Sequence, residues 1–120
     1  MLDVDGQRVL IVHGSPWSAE EYVYPDRFVP DRFNDVDANI VIMGHTHIPM
    51  VRREGERLFI NPGSCGQPRD YNPLASYAWL DVATGVAEIG RVPYDLEALQ
   101  RQCVALGLDG RLTSILTRTR

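Results

Sequence analysis

Ala38-Asn39-Ile40-Val41-Ile42-Met43-Gly44-His45-Thr46-His47-Ile48-Pro49 carries the pattern on which the reading of the fold turns. Four apolar residues in succession, three of them β-branched, read as a short strand buried on both faces, and Gly44 stops it. Upstream, Val9-Leu10-Ile11-Val12 repeats the pattern and ends at His13-Gly14-Ser15-Pro16. Both runs pass through glycine into polar residues, as strands do when they feed loops at the carboxyl edge of a sheet. Between them, Tyr22 to Asn34 contains Pro25 and Pro30, which predicts a loop with at most short helical turns.

Downstream of Pro49 the pattern changes to hairpins. Met50 to Arg53 and Leu58 to Ile60 flank a turn at Glu54-Gly55-Glu56, and Ser76 to Val82 and Val86 to Val92 flank Thr84-Gly85. Asn61 to Asn72 is a loop, with Pro62, Gly63, Gly66 and Pro68 inside it. Asp95 is a candidate N-cap, followed by Leu96, Leu99, Cys103 and Leu106 at helical spacing until Gly107, and a last short helix is expected over Leu112 to Leu116. The fold class expected is α/β: a mixed sheet ending in the two histidine loops, packed against an antiparallel meander from Met50 to Val92, with a C-terminal helix outside.

A chain of 120 residues is one domain's worth. Its 44% hydrophobic and 23% charged residues match soluble globular proteins and exclude disordered and fibrous classes. The net charge of −4 excludes a general electrostatic grip on nucleic acid or anionic membrane. Two cysteines, Cys65 and Cys103, are too few for a disulfide framework or a metal knuckle, and both are expected to be packing residues. No secretory leader and no apolar run near the ~18 residues of a membrane span is visible, so a cytoplasmic location is expected.

All three histidines, His13, His45 and His47, stand just beyond the two aliphatic strands. Imidazole is the commonest nitrogen ligand for first-row metals, and adjacent strand ends can bring sequence-distant residues onto one ion. A hydrogen-bonded loop histidine is the competing role for each. In an extended loop, His45 and His47 would diverge around Thr46 and could serve two metals.

The ordered set Val9 to Pro16, Gly44-His45-Thr46-His47-Ile48-Pro49 and Asn61-Pro62-Gly63-Ser64 resembles the C-terminal motifs of the calcineurin-like metallophosphoesterases, most closely the small bacterial and archaeal phosphodiesterase branch. The likeness runs on through Gly66-Gln67-Pro68-Arg69-Asp70 and Val92-Pro93-Tyr94-Asp95. It implies that His13 and His45 ligate one metal of a binuclear centre and His47 the other, with Mn, Zn, Ni or Fe as the ion. Two such cations would polarise phosphoryl oxygens and lower the pKa of an attacking water. It implies a phosphate-ester or nucleotide substrate, with Asn61, Gly63, Ser64 and Arg69 in the loop beside the site. Asn61 and Ser64 divide evenly between structural hydrogen bonding and substrate contact, and Arg69 between phosphate binding and pairing with Asp70.

The family also carries DxH, GD and GNH motifs in an N-terminal half, and none occurs here. Asp3 and Asp5 have no following histidine, and Asp35 and Asp37 sit in a polar loop. The resemblance therefore implies a single partial domain over 1–120, the C-terminal half of a four-layer α/β/β/α sandwich. Such a chain would be weak or inactive in isolation and would self-associate or need a complementary chain. A non-catalytic metal-binding or interaction module, or a truncated gene product, is the alternative. Trp17, Tyr22, Tyr24 and Phe28 are expected mainly to pack the core, with stacking on an aromatic leaving group as their other possible role. Arg52 and Arg53 are lesser phosphate candidates than Arg69, and Arg111, Arg118 and Arg120 form a solvated tail.

Overall fold

A computed structural model describes residues 1–118, so the expectation for Arg120 lies outside the described residues. Five strands form one mixed sheet: β1 (Leu2–Val4), β2 (Gln7–Ile11), β3 (Ile40–Ile42), β4 (Met50–Glu54) and β5 (Arg57–Asn61), in the order β1-β2-β3-β5-β4. The three central strands are parallel, with Ile11 opposite Ile42 and Ile42 opposite Ile60. Edge strands β1 and β4 run antiparallel to their neighbours. A second sheet of two strands, β6 (Ala75–Asp81) and β7 (Val86–Val92), pairs antiparallel.

The expectation of a single meander from Met50 to Val92 is corrected here. The β4–β5 hairpin exists, but β5 inserts beside β3 and belongs to the main sheet, so only β6 and β7 form the second layer. The reason lies in Leu58-Phe59-Ile60, buried on both faces like the runs in β2 and β3. A strand with two apolar faces is placed best in the middle of a covered sheet.

Alternation along the strands separates two cores. Val41, Met43 and Phe59 face one side, where Val23, Phe28, Phe33 and Ala38 from the connecting segment close over them. That segment makes two short 3-10 turns, Pro25–Arg27 and Pro30–Phe33, each opened by proline, as expected. The Phe59 ring meets Phe28 at 4.9 Å and Phe33 at 5.0 Å between centroids. On the other side Val9, Ile40, Leu58 and Ile60 pack against Ala78, Leu80 and Ala87 of the second sheet and Val82 of its turn. Leu2, opposite Val9 in the ladder, and Ile11, two residues along from Val9, point to this same side but are 52% and 55% exposed, because the two-stranded sheet does not reach them.

Helix α1 (Leu96–Ala105) begins where predicted: the Asp95 carboxylate accepts from Ala98 N at 2.8 Å. Its apolar stripe finds no deep cover, since none of its residues is buried and Leu106 just beyond it is 74% exposed. Helix α2 (Arg111–Ser114) and a 3-10 turn over Ile115–Thr117 follow, with Leu116 buried. No helix among the described residues is long and apolar enough to cross a membrane.

Candidate functional site

Because β2 and β3 are parallel neighbours in register, their carboxyl ends lie side by side, and the residues that follow them meet. Val12 N donates to Ile42 O at 3.0 Å and Gly44 N to His13 O at 2.8 Å, carrying the ladder past the strand ends. His13 Nε2 and His45 Nδ1 then lie 2.9 Å apart across an edge-on ring contact. The face of Tyr22 covers the other side of His45, with centroids 3.9 Å apart. His47 takes a different direction: its Nδ1 lies 2.9 Å from Gln67 O. A carbonyl only accepts, so Nδ1 carries the proton and Nε2 keeps the lone pair.

The loop is not extended. His45 has φ 66° and His47 φ 59°, two non-glycine residues in the left-handed region with Thr46 between them. Such conformations cost about 1–3 kcal/mol each and persist where surroundings over-determine them. The surroundings here are a buried polar hub. Asn61 Nδ2 donates to Gly44 O at 2.9 Å and to Thr46 Oγ1 at 3.0 Å, while its Oδ1 accepts from Gly63 N at 2.9 Å. Thr46 Oγ1 in turn accepts from Ile48 N. Asn61 and Thr46 are both 1% exposed.

Asn61 therefore works structurally, as a clamp at the end of β5 on the histidine loop. Ser64 does so as well: its Oγ accepts from Gly66 N and Gln67 N, fixing the turn that presents the Gln67 carbonyl to His47. Gly63 has φ 78°, and a Cβ there would stand 2.7 Å from Ser76 Oγ, so the position excludes a side chain. Arg69 N donates to His47 O at 3.1 Å and its guanidinium to Gln67 Oε1 at 2.9 Å, while its buried Nε has no partner. Its expected competitor role, pairing with Asp70, is not what forms: Asp70 is bound by Arg91.

Other residues fall away from the site. Arg52 pairs with Glu54 at 2.5 Å and lies over the Phe28 ring, and Arg53 reaches Gly85 O. Asp37 pairs with Arg8, and Asp3 sits exposed on β1. Cys65 is exposed rather than packed. The aromatic group divides: Phe28 is core, whereas Trp17 and Tyr22 are 50% and 45% exposed. Gln67, Thr46 and the placement of Tyr22 on His45 had no signal in residue spacing.

Burial pushes the His47 imidazole below its ordinary pKa against the pull of the Gln67 carbonyl, and the positive charge of Arg69 adds to the depression. The neutral ring is the form that can ligate. Two nitrogens bound tetrahedrally at 2.0–2.1 Å from one ion stand roughly 3.3 Å apart, so the His13–His45 spacing needs to open by only a few tenths of an ångström. Among the described residues, no group of three or more His, Cys, Asp or Glu side chains gathers closely enough to hold an ion. Among the described residues the nitrogen donors are thus a His13–His45 pair and a separate third imidazole, His47.

Residues 1–85 match the family described as the calcineurin-like phosphoesterase superfamily domain. The chain is 35% identical over 119 residues to the uncharacterized protein MJ0912 of Methanocaldococcus jannaschii, covering 85% of this chain and 48% of that one. It is 33% identical over 79 residues to phosphodiesterase YfcE of Escherichia coli K12, covering 65% and 36%. Among solved structures, a metallophosphoesterase from Sphaerobacter thermophilus superimposes with a TM-score of 0.83 at 33% identity, over 97% of this chain and 55% of that one. The chain spans about half the length, or less, of the proteins it matches.

Proposed function

Because the chain belongs to the calcineurin-like phosphoesterase superfamily, we propose that it supplies the histidine-bearing part of a metal-dependent phosphoesterase site. The observation that carries this reading is the pairing of His13 and His45 at 2.9 Å beside a loop held in left-handed backbone by a buried asparagine. His13 and His45 would hold one divalent ion, and His47, through Nε2, a second. Cations bound there would polarise phosphoryl oxygens and lower the pKa of a water. The chain's own residues set the donors: Gln67 O fixes the His47 tautomer, and Asn61 and Ser64 hold the two loops in place. Three neutral imidazoles supply lone pairs without cancelling the positive field that draws a phosphate ester.

The site is proposed to be completed by carboxylate-bearing residues outside this chain, making 1–120 a partial domain of a four-layer sandwich. Leu2 and Ile11, exposed on the inter-sheet face, support that reading. The test is elemental mass spectrometry on the purified chain and its H13A, H45A and H47A variants, with hydrolysis of bis(4-nitrophenyl) phosphate measured alongside. The expected result is bound transition metal that falls on substitution of His13 or His45, with weak hydrolysis lost in the same variants. Metal content indifferent to all three histidines overturns the reading.

A further inference from the structure

A cavity of about 530 Å³ opens beside the histidine loop, lined by Tyr24, Arg27, Ile48, Arg69 and Tyr71. Its size falls within the ~300–1,000 Å³ of small-molecule sites. Two links tie it to the histidines. Ile48 directly follows His47 in the chain, and Arg69 N donates to His47 O at 3.1 Å. A column of rings leads there too: Tyr22 covers His45 at 3.9 Å, and Tyr24 stacks on Tyr22 at 5.6 Å with planes 10° apart.

Of the charged groups in the lining, Asp26 lies 3.7 Å from Arg27, Asp70 is bound by Arg91, and the Arg69 guanidinium donates to Gln67 Oε1 at 2.9 Å. Walls formed by Tyr24 and Tyr71 suit a planar ring, which gains from aromatic contact and from a guanidinium such as that of Arg27, 5.6 Å from the centre of the Tyr24 ring. Resting on the phosphoesterase reading, we infer that the organic group of the substrate is a planar aromatic ring, nucleobase or aryl, seated in this cavity while the phosphate lies at the histidines.

Calorimetric titration of the chain in Mn²⁺ tests this with matched probes: adenosine monophosphate against ribose 5-phosphate, and phenyl phosphate against methyl phosphate. The ring-bearing ester is expected to bind about tenfold tighter than its ringless match, the scale of one base–aromatic stack. Preference in the first pair alone points to a nucleobase, in the second to an aryl group. Tyr24→Leu should cut the preference below about threefold and Tyr24→Phe restore it. Tyr71→Gly, at an exposed position whose φ of 65° suits glycine, should cut it as well, with the unfolding temperature recorded on the same sample. Equal binding within both pairs, or a preference that survives Tyr24→Leu and Tyr71→Gly, overturns the inference while leaving the phosphoesterase reading intact. Failure of inorganic phosphate and all four esters to bind sinks both.

Discussion

His45 and His47 occupy backbone that L-residues avoid, and the molecule holds them there with a residue 15 positions on from Thr46 but adjacent in the sheet, Asn61. The strain has a measurable sign. At an ordinary position alanine is the more stabilising choice over glycine, but at φ 66° any Cβ clashes with the following carbonyl. His45→Gly is therefore expected to be more stable than His45→Ala by about 1 kcal/mol in urea unfolding; the reverse order would show that the left-handed loop is not populated. Asn61→Ala leaves Gly44 O, Thr46 Oγ1 and Gly63 N short of a partner in a buried place, and should cost about 2–4 kcal/mol. Retention of wild-type stability would remove the clamp from the account. The histidines themselves were legible, since residue type and position after a strand suffice to flag a ligand. The clamp was not, because which buried carbonyl lacks a donor depends on loops that meet only in three dimensions.

Elements were legible where an apolar run or a turn residue marks them locally. The β2 and β3 strands, the Gly85 turn, the Asp95 cap and the proline-opened turns all stand where local rules place them. Partner choice was not legible in the same way: hairpin rules join β4 to β5, yet β5 also takes β3 as a parallel neighbour. The irregular stretch that covers Phe59 has its own fastening, Arg57 at the start of β5. Its guanidinium donates to Phe33 O and Val36 O at 2.6 Å and to Ala38 O at 3.2 Å, tying together a segment whose own backbone bonds are only the local Val36 N to Phe33 O and Ala38 N to Val36 O. Arg57→Lys keeps the charge but not the fork, and is expected to cost about 1–2 kcal/mol; Arg57→Met should cost about 2–3. Thermal unfolding of the two variants checks this ranking, and equal stability of Lys, Met and wild type would mean that the segment's own backbone bonds hold it without the guanidinium.

The whole molecule exposes more surface than its mass requires. A compact 13.5 kDa monomer is expected to present roughly 6,500 Å² and a radius of gyration of about 13.6 Å, whereas this chain presents 7509 Å² with a radius of 16.0 Å. The excess, roughly 1,000 Å², is comparable to one side of a standard protein interface, about 800 Å². Part of it has a definite place. Leu2, Val4 and Ile11 lie on the inter-sheet face beyond the reach of β6 and β7, and β7 runs beside β4, so the uncovered edge on the β1–β2 side belongs to β6. Among the described residues β6 has no strand partner but β7, and an unpaired edge next to exposed apolar side chains recruits another chain. Sedimentation velocity should accordingly show mass above 13.5 kDa that rises with protein concentration. Ile11→Lys alters a side chain that is 55% exposed, so it should cost the monomer little while shifting the distribution towards monomer. A wild-type chain that stays monomeric to about 100 μM, far above the ~1 μM at which a stable interface of this size commonly saturates, would mean that the face is tolerated in water and that no completing segment is needed for solubility. Association abolished by Ile11→Lys would instead assign the contact to the open end of the sandwich, where Leu2, Val4 and Ile11 lie exposed.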